Sequence, residues 1–254
     1  MIAVIHVPRP DALQTETRSE RTLQAIRGIP MFRGLAPVDQ QRLAALATLR
    51  DYGRGDFLWR AGDPAEHLTV VVRGRVKIVG HSAGSDVILE LFGPGEPVGA
   101  IAVYNYIPYP ASAVAMESCT ILVLPRRDYF ELLDRHPEFA RAIIRDLTKM
   151  VLSLTRKLEE MRGQRIEVRI AQLFLNLSER MGRPGKGGAV EIPIALSRQE
   201  VADLVGTTVE TAIRVLSRWG REGVLVTGEK RFLLPSKERL LEIAEGRSDG
   251  KEGR

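Results

Sequence analysis

Residues 55 to 125 constrain the fold most. Three short β-branched runs, HLTVVVRGRVKIVG, SDVILELFGPG and TILVLPRR, follow one another, with glycines at positions 55, 62, 74, 84, 93, 95 and 99. Strands bounded by turn residues at such close spacing pair as antiparallel hairpins. A parallel sheet needs a crossover of a dozen or more residues, usually helical, and none separates these runs. The stretch reads as a small antiparallel β-roll of jelly-roll type, and a doubly wound nucleotide-binding sheet is disfavoured. Upstream, MFRGLAPVDQQRLAALATLRDY has leucines and alanines at helical spacing, with Pro37 placed where a missing N–H costs nothing. Residues 1–28 are polar apart from a short helical stretch around Leu23 and Ile26, and they are expected to form a partly mobile extension.

At Pro137 the period changes. Ile144, Leu147, Val151, Leu154, Leu158 and Met161 are separated by 3, 4, 3, 4 and 3 residues, the spacing of a coiled-coil seam. Arg145, Lys149, Arg156, Lys157, Glu159 and Glu160 fall off that seam. A lone helix of this pattern would expose an apolar stripe, and a second copy of the chain is its natural cover. Packing against the chain's own β-roll is the alternative. Gly163 interrupts the seam and marks a hinge.

The 254 residues suit two modest domains, and 44% hydrophobic with 27% charged residues is ordinary for a globular protein. No apolar run approaches the roughly 20 residues needed to span a bilayer, and MIAVIHVPRPDALQ lacks the pattern of a signal peptide. A cytoplasmic protein without a membrane partner is expected. The single cysteine, Cys119, excludes an internal disulfide and any iron–sulfur cluster held by four cysteines of one chain. No basic residue adjoins it to lower its pKa, so it reads as a small buried apolar residue. The net charge of +5 is uneven: residues 1–136 carry 15 basic and 15 acidic side chains, residues 137–254 carry 22 and 17. A basic second half suits a polyanionic partner.

Beyond the hinge, RIEVRIAQLFLNLSERMG is amphipathic, GRPGKGGA is a loop and VEIPIAL a short strand. The segment LSRQEVADLVGTTVETAIRVLSRWGREGVL then holds two helix starts. Ser197 with Glu200 is a capping box, and Thr207 with Glu210 is expected to form another. Gly206 lies in the tight turn between them. Two short helices joined through a glycine-bearing turn make a helix-turn-helix, a device for reading double-stranded DNA. Its second helix presents Val209, Glu210 and Arg214 on one face, while Ala212, Val215, Leu216 and Trp219 pack inward. Glu210 can accept from the cytosine amine, and Arg214 can take guanine O6 and N7 together. Arg198, Gln199, Thr208 and Thr211 stand near helix N-termini, where phosphates are favoured. GVLVTGEKRFLLP reads as a two-stranded wing whose Lys230 and Arg231 can reach a phosphate.

In this order the parts resemble the CRP/FNR superfamily of bacterial transcription regulators, named for the catabolite activator and the fumarate-nitrate regulator, over residues 29 to about 240. SRQEVADLVGTTVETAIRVLSR is similar to the family's helix-turn-helix, and FGPGEPVGA to the phosphate-binding turn of its sensor roll. The resemblance implies an α+β chain: an extension (1–28), a cyclic-nucleotide-binding-like β-roll sensor (29–136), a dimerisation helix (137–162), a winged helix-turn-helix domain (163–247) and a tail (248–254). It also implies a homodimer on a palindrome, with RNA polymerase as partner. The effector pocket would be lined by Gly95, Glu96, Gly99, Ala100, Ala111, Ser112, Leu154 and Thr155. Cyclic-AMP-responsive members carry a glutamate after the last glycine, an Arg-Ser pair, and a Thr-Ser pair on the long helix. Here the corresponding residues are Ala100, Ala111-Ser112 and Leu154-Thr155, which argues against cyclic AMP. An unidentified effector, or none, remains open. A haem sensor would need His6, His67, His81 or His136 as axial ligand, although isolated histidines are more often surface residues. Val209 replaces the arginine of the cyclic-AMP branch, so half-sites with a TGA core are expected, and Ile213 in place of a serine leaves the outer base open. A sensor module that never touches DNA is the first competing reading, which the helix-turn-helix opposes. No nucleophile–base grouping or metal-ligand spacing suggests an enzyme.

Overall fold

The computed structural model describes residues 10–82, 85–161 and 165–246. The chain divides into two compact units, Met1–His81 with Glu90–Met150, and Ser82–Leu89 with Val151–Arg254.

The first unit begins with α1 (Pro10–Gly28) and α2 (Pro37–Leu46). Eight strands follow: β1 (Thr48–Tyr52), β2 (Phe57–Trp59), β3 (His67–Arg73), β4 (Val76–Ser82), β5 (Ser85–Phe92), β6 (Pro97–Val98), β7 (Ser112–Ala115) and β8 (Cys119–Pro125). A short α3 (Ala100–Tyr104) lies between β6 and β7, and α4 (Arg126–Arg135) leads into α5 (Pro137–Met161). The strands form two four-stranded sheets, ordered β1-β8-β3-β6 and β2-β7-β4-β5. β8 pairs antiparallel with both β1 and β3. Its run Cys119 to Leu124 is buried at every position, as a central strand covered on both faces requires. The expected antiparallel roll is therefore present.

The N-terminal segment is more helical than its sequence pattern predicts. A 19-residue helix stands where only a short helical stretch was expected, and its Thr22 and Ile26 are buried. Ile26 belongs to the same core as Ile29 and Phe32, and Phe32 stacks on Phe139 at 5.5 Å. The core of the roll thus reaches upstream of residue 29.

In the second unit α6 (Ile166–Met181) precedes β9 (Arg183–Pro184) and β10 (Val190–Ile192). Then come α7 (Arg198–Val205), α8 (Val209–Glu222), β11 (Val226–Thr227), β12 (Phe232–Leu234) and α9 (Lys237–Ala244). The four strands form one small sheet, ordered β11-β12-β10-β9. α6 buries Ile170, Ala171, Phe174 and Leu177, and the Phe174 ring lies 4.7 Å from that of Phe232. The hinge residue Gly163 lies outside the described residues. Among the described residues no helix is long and apolar enough to cross a membrane.

Candidate nucleic-acid interface

The start of α7 follows from Ser197. Its hydroxyl accepts from the Glu200 N–H at 3.1 Å, and the Glu200 carboxylate accepts from the Ser197 N–H at 2.9 Å. The helix ends at Gly206, whose φ of 64° and ψ of 54° are left-handed, a conformation that costs a residue with a Cβ about 1–2 kcal/mol. The second cap departs from expectation by one residue. Thr208 is the N-cap of α8, accepting from the Thr211 N–H at 3.3 Å. Thr207 instead spends its N–H on the Ala202 carbonyl at 2.9 Å, closing the turn.

Helix α8 is strongly two-faced. Ala212, Val215, Leu216 and Trp219 are buried, while Glu210, Ile213 and Arg214 are exposed and Val209 is half-buried. Among the described residues the side chains of Glu210 and Arg214 form no hydrogen bond or ion pair, so both are free to meet a ligand. Farther along, Arg218 donates to Glu167 of α6 at 3.2 Å.

The residues expected at phosphates are placed unequally. Thr208 and Thr211 sit together at the N-terminus of α8, their hydroxyl oxygens 3.1 Å apart. Gln199 is exposed and donates to Asp203 at 2.8 Å. Arg198 is turned toward the wing: one terminal nitrogen donates to the Thr227 hydroxyl at 3.1 Å, and the other is buried without a partner. Burial pushes its pKa below the ordinary arginine value. In the wing, β11 and β12 pair antiparallel, and Lys230 is exposed in the turn between them. Arg231 is held by Glu191 at 3.0 Å.

In the roll, Glu96 accepts from the Gly93 N–H at 2.7 Å, tightening the turn that contains Gly95. Gly99 is left-handed, with φ of 73°. A Cβ there would come within 2.6 Å of Tyr109 and 3.0 Å of Trp59. The Trp59 indole donates to the Ala111 carbonyl at 3.1 Å, and Ser112 accepts from the Ala61 N–H at 3.0 Å. Ala100, which opens α3, is half-buried. The side chains of Leu154 and Thr155 lie outside the described ones. Nothing in the sequence pattern announced the pairing of Trp59 with Tyr109, whose positions are fifty residues apart.

The apolar residues of α5 are unequally buried. Phe139 and Ile143 are buried in the roll's core, whereas Ile144, Leu147 and Val151 are 61%, 40% and 60% exposed. Leu152, outside the expected seam, is exposed as well. The side chains of Leu158 and Met161, like that of Leu154, are not among the described ones.

Residues 49–136 match the family model for the cyclic nucleotide-binding domain, and residues 168–243 match that for the Crp-like helix-turn-helix domain. The chain is 31% identical over 222 residues to the cyclic AMP receptor protein of Thermus thermophilus, covering 87% of this chain and 99% of that one. The chain belongs to the CRP/FNR superfamily. Within that superfamily it is also 31% identical, over 210 residues, to the transcriptional activator protein anr of Pseudomonas aeruginosa, covering 79% of this chain and 82% of that one. Among solved structures, FixK2 from Bradyrhizobium japonicum matches with a TM-score of 0.68 at 21% identity, over 77% of this chain and 96% of that one. As a CRP/FNR regulator, the chain carries its DNA-binding function on the helix-turn-helix formed by α7 and α8.

Proposed function

We propose that this regulator acts in the cytoplasm as a homodimer joined along α5. It binds a palindrome of TGA-core half-sites and acts on transcription with RNA polymerase, without requiring cyclic AMP. The observation that carries the reading is α8 itself, with Glu210 and Arg214 exposed and unengaged one turn apart on a helix fastened through Trp219. A carboxylate among phosphates is unfavourable unless a base donates to it, so Glu210 suits the cytosine amine and Arg214 the guanine edge. Val209 suits a thymine methyl. The exposed Ile144, Leu147 and Val151 support association of two copies. Two-fold symmetry would then set the half-sites one or two helical turns apart.

The sensor turn does not fit a cyclic nucleotide phosphate. Ala111 brings no charge, Ser112 already accepts from the main chain, and the Trp59–Tyr109 stack fills the space against Gly99.

The test is a binding selection from random duplexes with purified protein and no added ligand, comparing wild type with Glu210→Ala. The expected result is a palindromic TGA-containing consensus, relaxed at one base pair in the variant. A non-palindromic consensus, or enrichment only when cyclic AMP is added, would refute the reading.

A further inference from the structure

Arg169 lies on α6, outside the two helices of the helix-turn-helix, yet its guanidinium reaches their turn. One terminal nitrogen lies 3.7 Å from where a Cβ on Gly206 would stand. The side chain is half-buried, and its Nε is buried with no hydrogen-bond partner. Nor does any other side-chain atom of Arg169 take part in a hydrogen bond or ion pair among the described residues. Gln172, three residues along α6, leaves its own side-chain carbonyl oxygen buried and unpartnered rather than answering this charge.

A permanently charged guanidinium that is partly desolvated and unpaired is costly, and such groups are ordinarily neutralised by an anion. The neighbouring backbone points to which anion. Gly206 leads through Thr207 into the N-terminus of α8, a 14-residue helix whose first N–H groups and dipole favour negative charge. Arg218 of α8 makes a useful contrast, since it too meets α6 and is answered there by Glu167 at 3.2 Å.

We propose that Arg169 takes a DNA backbone phosphate at the turn between α7 and α8, a contact that positions α8 without reading sequence. This rests on the DNA-binding reading given above. Each phosphate contact adds about one to the slope of log affinity against log salt. The experiment measures duplex binding by fluorescence anisotropy across a salt series for wild type, Arg169→Gln and Arg169→Lys, using a duplex with TGA half-sites. The glutamine variant is expected to lower the slope by about one with its consensus unchanged, and the lysine variant to keep the wild-type slope. Steep, equal slopes for wild type and Arg169→Gln overturn this inference alone. Loss of slope in Arg169→Lys, or failure of Arg169→Gln to fold, overturns it too, by assigning the guanidinium to the domain's own structure. A wild-type protein whose duplex binding is absent or insensitive to salt would overturn the DNA reading and this inference with it.

Discussion

Trp59 stacks on Tyr109 with ring centroids 4.0 Å apart and planes 14° from parallel. Both rings are buried, and desolvation pushes the Tyr109 phenol up to about 12. The hydroxyl donates to the His67 carbonyl at 3.2 Å, so the pair is tied to β3 as well as to the turn at Gly99.

This stack should make the roll indifferent to cyclic nucleotide. Titration with cyclic AMP is expected to leave tryptophan fluorescence and DNA affinity unchanged, and a saturable quench would contradict that. Trp59→Ala should cost about 3–5 kcal/mol of stability, read as a lowered denaturation midpoint.

Cys119 should be chemically silent in the folded protein. Its thiol is buried and lies within hydrogen-bond distance of the Arg75 and Glu117 carbonyls, and burial pushes its pKa up. The reactive thiolate is therefore disfavoured at neutral pH. Iodoacetamide is expected to label it only after denaturation. Because ionisation is harder in the folded state than in the unfolded chain, any contribution to stability is present below the unfolded pKa and fades as pH rises through the folded one. Labelling of native protein at the rate of an exposed thiol would refute this.

Ser197→Ala removes one half of a reciprocal cap. The expected loss is about 1 kcal/mol, seen as a lower midpoint in denaturant with an unchanged slope. Ser197→Asp should retain most of the stability, since aspartate caps as well as serine.

Val151→Glu places a charge on the exposed stripe of α5. Sedimentation equilibrium is expected to report a monomer for this variant and a dimer for wild type. DNA affinity should fall with it, because a monomer engages only one half-site. A variant that remains dimeric would place the association surface elsewhere.

The architecture was legible wherever a period or a cap carried it. Alternating short runs predicted the antiparallel roll, and the box at Ser197–Glu200 predicted the start of α7. The second cap was misplaced by one residue because Thr207 and Thr208 are chemically alike, and only the turn's hydrogen bond from Thr207 to Ala202 distinguishes them. The helix over residues 10–28 was underestimated because most of its length is polar, and of its apolar positions Leu23 and Ile26, already read as helical, are those that pack on the core. Contacts between distant positions were not legible at all. Neither the Trp59–Tyr109 stack nor the approach of Arg169 to Gly206 leaves a local pattern, since each depends on how separate elements pack.

Trp219 anchors α8 from beneath while Glu210, Ile213 and Arg214 project away from the core, so the helix resembles a printing block whose type is replaceable. Exposed, unpaired side chains can be exchanged at a cost to stability of roughly ±0.5 kcal/mol or less. On the proposed readout, copies of such a regulator can therefore drift toward new operators through single substitutions, leaving the scaffold that carries the letters intact.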